Sequence, residues 1–133
     1  MGLPFKLVSA DSHIVEPVEL WAQRLDRRFR DRGPRLVSLE DSDWFFIDCS
    51  KPLDPARRGV GLGLMATRRK FENPENYDFG MNGRWSEVPE SAWDPAARVA
   101  ELDREHIEAE LIYPTYGLGM FGLKDHDYRY ALI

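Results

Sequence analysis

Two residue types that bind metals stand one residue apart near the start of the chain. The stretch VSADSHIVEP, residues 8–17, carries Asp11 and His13 on either side of Ser12. Upstream, FKLV reads as a short buried strand bounded by Pro4. In an extended strand, residues i and i+2 share a face. A strand that runs on through Asp11 therefore aims the carboxylate and the imidazole the same way. One oxygen and one nitrogen donor so placed can share a divalent ion, Zn²⁺ first, with Mn²⁺ or Fe²⁺ as alternatives. The plain reading stands beside it: Asp11 caps a turn and His13 is a satisfied, half-buried histidine. Glu16 follows His13 by three residues. It is placed either to hydrogen-bond a ligand imidazole, as metal sites commonly require, or to sit on the surface ahead of Pro17.

The elements that would hold this pair follow from patterning. Strand one spans residues 5–10 and delivers Asp11 and His13 at its C-terminal end. Pro17 suits the first turn of a helix over residues 18–25, where Leu20, Trp21 and Leu25 fall at helical spacing. Such a stripe makes packing the first role of Trp21 and substrate contact the second. Residues 35–39 and 44–48 read as a hairpin around a polar turn, with Trp44, Phe45 and Phe46 either walling a pocket or covering the helix. The run GVGLG lacks the spacing of a nucleotide-binding fingerprint, because position 66 is Ala, and no phosphate-loop lysine follows. It reads as a flexible loop, followed by a short basic helix over 65–71 and a loop over 73–89.

Asp94-Pro95 marks a helix start, with Asp as N-cap and Pro at the first position; this helix should end near His106. Strand two is expected over 109–114, and a Gly-rich loop over 115–122 lies at its C-terminal end, where barrel enzymes place their chemistry. Thr115 and Tyr116 are therefore candidates for substrate contact, against the alternative that this loop only makes turns. Residues 125–133 read as the start of another helix whose apolar pattern is still running at the last residue. His106 lies on a packing helix and His126 in a loop, so neither is taken as a ligand.

Composition narrows the classes. The chain has 133 residues, 43% hydrophobic and 31% charged, which suits one domain with a modest core. A net charge of -5 argues against a nucleic-acid partner. Arg24, Arg27, Arg28, Arg30 and Arg32 cluster, but Asp26 and Asp31 interrupt them, so they read as a solvated helix face. Cys49 is the single cysteine, which rules out an internal disulfide and fits a reducing cytoplasm. No leader-like or membrane-length apolar segment occurs, so neither a membrane nor export is expected.

Two blocks carry a family resemblance. VSADSHIVEPVELWAQRLDRRFRDRGPRLV resembles the opening of the amidohydrolase-related superfamily, in the branch that includes aminocarboxymuconate-semialdehyde decarboxylase. WDPAARVAELDREHIEAELIYPTYGLGMF, residues 93–121, is similar to the segment joining that family's first helix to its second barrel strand. The resemblance implies an α/β fold: the N-terminal fragment of a TIM-like (β/α)₈ metal-dependent hydrolase barrel, with about two barrel strands. Residues 1–133 would then form a single incomplete domain, with residues 35–92 inserted as a lid over the barrel's C-terminal face. A closed barrel takes about 250 residues, so a truncated product or N-terminal fragment is expected. Its remaining ligands and its general acid or base would lie downstream. The implied activity is hydrolysis or nonoxidative decarboxylation of a small carboxylated substrate, an aromatic ring among the candidates. The alternative is a catalytically inactive remnant. Two strands leave exposed edges, so such a chain would fold by self-association or by pairing with a partner chain.

Overall fold

The computed structural model describes residues 6–40, 42–54, 59–62 and 82–133. The expected basic helix over 65–71 and most of the expected loop over 73–89 lie outside these residues. Two sheets organise the described chain. The first pairs β1 (Leu7–Ile14) with β5 (Ile107–Pro114) in parallel. The second is antiparallel, in the order β2 (Arg35–Ser38), β3 (Asp43–Phe46), β4 (Gly59–Gly61).

Parallel neighbours need a long crossover, and here it contains the second sheet and, among its described helices, α2 (Pro95–Arg104), which leads into β5. Asp94 caps α2 as its sequence requires, its side chain accepting from the backbone N–H of Ala97 at 2.8 Å. The helix ends ahead of His106, which takes φ 57°, the left-handed conformation that commonly closes a helix. Arg98 on α2 then reaches Glu110 on β5 through two hydrogen bonds of 2.8 and 2.6 Å. This bidentate pair clamps the crossover helix to its strand.

The hairpin of β2 and β3 forms where the sequence places it, with register Arg35↔Phe46 through Ser38↔Asp43. The glycine-rich run departs from expectation. Gly59–Gly61 is a strand that pairs with β3 through Trp44↔Gly61 and Phe46↔Gly59. Glycine is a poor strand former, so this strand owes its existence to the partner edge and not to local preference.

The core sits beside the parallel pair, not within it. Phe45, Phe46, Leu62, Met120 and Tyr128 are fully buried, joined by Trp21 and Leu25 of the first helical segment. That segment contains α1 (Leu20–Arg24) and a 3₁₀ turn over Arg27–Arg32. The chain closes with two short helices, α3 (Tyr116–Met120) and α4 (His126–Leu132), both facing this core. The expected loop over 115–122 thus contains a helix. No described helix is long and apolar enough to cross a membrane.

Candidate functional site

Strand β1 extends further than its apolar start suggests, through Asp11 and His13 to Ile14. Its outward face carries both residues. The side chains of Asp11 and His13 are 83% and 45% exposed, and Asp11 Oδ1 stands 3.7 Å from His13 Nε2. The structure therefore brings the D-x-H pair together on one open face. The register of β1 is irregular between Ser9 and Ser12, where the hydroxyls of those two serines hydrogen-bond at 2.7 Å.

His13 has a neighbour that spacing alone did not single out. His13 lies opposite Tyr113 in the parallel register, and the two rings are 5.9 Å apart, tilted by 36°. The clue was available: each residue stands one position before the end of its strand, so aligned ends bring them level.

Glu16 is 5% exposed, not a surface carboxylate. Its Oε2 accepts the backbone N–H of Thr115 at 3.3 Å and of Tyr116 at 3.0 Å, and its Oε1 accepts that of Gly117 at 2.7 Å. The first N–H groups of a helix have no partner within it. Here they converge on a carboxylate from the end of the other parallel strand. Gly117 permits the approach, since a Cβ there would lie 2.9 Å from Pro114 Cβ and 3.1 Å from Glu16 Oε1. Among the described residues no hydrogen bond joins Glu16 to His13. Glu16 acts on the loop after β5, fastening the C-terminal ends of β1 and β5 together. A second tie, Val15 N–H to Ala92 O at 2.8 Å, anchors the same end of β1 to the segment before α2.

The three other candidates are placed as follows. Thr115 is partly buried and joins the Glu16 cluster through its backbone. Tyr116 is 2% exposed and stacks on Phe45 with ring centroids 3.7 Å apart. Burial, aided by the Glu16 charge, pushes its phenol above the ordinary range. Trp21 is 5% exposed, packs against Phe45 and donates its indole N–H to Leu132 O at 3.2 Å. Both aromatic side chains thus lie in the core. His106 sits just before the N-terminal end of β5. Because the strands are parallel, that is the end opposite the one where Asp11 and His13 lie. His126 opens α4 and is exposed. Among the described residues no group of three or more His, Cys, Asp or Glu side chains could hold a metal ion.

No family model and no curated protein matches the chain. A solved structure does. The chain is similar to the crystal structure of an amidohydrolase from Mycobacterium avium subsp. paratuberculosis K-10, with a TM-score of 0.51 and 24% identity over 87% of this chain. That match covers 32% of the amidohydrolase, so this chain spans about a third of its length. The likeness is one of fold.

Proposed function

We propose that the chain forms the N-terminal part of an amidohydrolase-type barrel. In this reading Asp11 and His13 supply the first two ligands of a divalent metal site, Zn²⁺ before Mn²⁺ or Fe²⁺. The observation that carries the reading is the Asp11–His13 pair, two donor atoms 3.7 Å apart on the exposed face of a parallel strand. The shared fold with part of a known amidohydrolase supports it.

The donors fit the group. Two atoms each about 2.1 Å from one ion at a tetrahedral angle stand about 3.4 Å apart, so a small torsional adjustment seats both. A third protein ligand must come from outside the described residues. When bound, the ion would acidify a water for hydrolysis or polarise a substrate oxygen for loss of a carboxyl group. This chain's own residues do the positioning. Asp11 contributes a compensating negative charge and His13 a neutral nitrogen donor. Tyr113 walls one side of the imidazole. Glu16 holds the loop after β5 beside the pair, which sets where Thr115 can meet a small carboxylated substrate.

The test is metal content of the gene product at its natural length, measured by mass spectrometry, alongside its intact mass. Near-stoichiometric metal is expected, and it should be lost in Asp11→Ala and His13→Ala. Unchanged metal in both variants would overturn the ligand assignment.

A second reading rests on a different observation. Val8, Leu111, Ile112 and Tyr113 are 66, 55, 46 and 38% exposed on the parallel pair. A surface of this kind favours a cover, either more of the same barrel or another chain. If the natural product is 15.4 kDa, pairing with a second copy or a partner becomes the leading account. Light scattering would then have to show a species larger than the monomer.

A further inference from the structure

A pocket of about 460 Å³, to which neither Asp11 nor His13 contributes, is lined by Trp21, Arg30, Asp31, Gly33, Pro34 and Arg35. We propose that it binds a small organic anion: a carboxylate or phosphate carried on a flat apolar body.

The charge comes from Arg35 and from Arg30, a member of the arginine run that composition alone read as a solvated face. Its members have different fates. Arg28 pairs with Asp26, and Arg32 with Asp48 and Asp125. Arg30 and Arg35 have no carboxylate partner among the described residues. Each is held instead by a neutral main-chain oxygen. Arg30 Nε donates to Leu25 O at 2.9 Å, and one Nη of Arg35 donates to Asp31 O at 2.6 Å. Such bonds orient a guanidinium without cancelling its charge, and they leave most of its N–H groups unspent. Asp31 also belongs to the lining, so two arginines against one aspartate leave a net positive site.

One wall of the pocket is fixed by packing. Gly33 admits no side chain, since a Cβ there would lie 2.9 Å from Leu25 Cδ2 and 3.2 Å from Arg30 O. Pro34 beside it is buried and stiff, and Trp21 is pinned through its bond to Leu132 O. Trp21 and Pro34 give apolar lining, while Arg30 and Arg35 give oriented donors. Guanidinium forks suit carboxylate and phosphate oxygens alike. A volume of this size lies within the range of small-molecule sites, about 300–1,000 Å³.

The experiment is a titration of the intact chain with benzoate and with phenyl phosphate, followed by the indole N–H resonance of Trp21, which Trp21→Phe identifies. Saturable shifts are expected, with Kd in the millimolar range, about -4 kcal/mol. Arg30→Gln/Arg35→Gln should weaken binding about tenfold, ~1.4 kcal/mol. Arg24→Gln/Arg27→Gln removes the same charge outside the pocket and should leave it unchanged. The two single variants decide the matter if the first double variant fails to fold. Tighter binding of one probe tells whether the headgroup is a carboxylate or a phosphate, and either supports the site. Three results would overturn it: no saturable shift with either probe, equal weakening by both double variants, or inorganic phosphate binding as tightly as phenyl phosphate.

Discussion

In the proposed reading, the parallel pair carries the chemistry and the unit beside it the stability. β1 and β5 are the longest of the described strands, eight residues each, yet neither contains a fully buried residue. The neighbouring unit has shorter strands and helices, but Phe45, Phe46, Tyr116 and Tyr128 are wholly or almost wholly buried in it. Ligand atoms would have to meet solvent and substrate, so the strand proposed to offer them gives up core. Its geometry is then held from its C-terminal end, by the Glu16 cluster and the Val15–Ala92 bond. Substitutions should respect this division, costing most where the core is and least where the candidate ligands are.

The largest loss is expected at Phe45. Its ring is fully buried, stacked on Tyr116 and tilted against Trp21. Phe45→Ala should lower unfolding free energy by about 3–5 kcal/mol, measured by urea denaturation. A loss under about 1 kcal/mol, the ordinary scale of a point change, would mean that this unit is not where the fold is anchored.

Glu16 stands at the border of the two regions. Glu16→Ala strands the N–H groups of Thr115, Tyr116 and Gly117. Orphaning buried donors costs about 2–3 kcal/mol in such settings. Glu16→Gln, which keeps one acceptor oxygen, should lose less. Hydrogen exchange of the Gly117 amide sharpens the comparison. It should quicken in Glu16→Ala, whereas amides of β3 keep their protection.

The same division explains what could be read from sequence. The D-x-H strand, the Asp94-Pro95 helix start, the hairpin and the second parallel strand all depend on local signals: alternation, a cap and a turn. What was not legible depends on distant partners. Gly59–Gly61 is a strand because β3 offers an edge to it. The helix over Tyr116–Met120 contains two glycines, and the carboxylate that fastens its start stands a hundred residues earlier. An aromatic residue after a barrel-type strand can face a ligand or a core. Nothing near Tyr116 in sequence announces that Phe45 will stack on it. In the arginine run Arg24, Arg27, Arg28 and Arg30 are exposed, as a solvated face requires, but the pairing of Arg32 was not legible, because Asp48 and Asp125 are far from it in sequence.

A smaller effect should appear at acid pH within the same stable unit. Burial pushes the Asp48 carboxyl up, but hydrogen bonds from Arg32 and Ser50 outweigh it and bring its pKa down to about 2, from an ordinary 3.8. A carboxyl depressed on folding stabilises fully above its ordinary value, and that contribution is lost as pH falls toward the folded value. Stability should therefore drop between about pH 4 and pH 2. Asp48→Asn should cost about 1–2 kcal/mol near neutrality and converge with the parent chain at the acid end. A constant difference across that window would mean that the Arg32 pair contributes nothing through charge.

The smallest change in stability is expected where the largest change in chemistry is proposed. The Asp11 side chain is 83% exposed, and its carboxylate stands 3.7 Å from His13, beyond a hydrogen bond. Nothing in the fold leans on its charge, so Asp11→Asn should shift unfolding free energy by no more than about 0.5 kcal/mol. The same substitution replaces an anionic donor with a weak neutral one, and metal retained by the natural-length protein should fall sharply. The two readouts separate the explanations. A stability loss above about 1 kcal/mol, outside the surface range, would give Asp11 a structural role and break the contrast between the regions. An undisturbed fold with undiminished metal would leave the contrast intact and remove Asp11 from the site. Only an undisturbed fold with lost metal fits a strand that gives up core to keep two ligand atoms open.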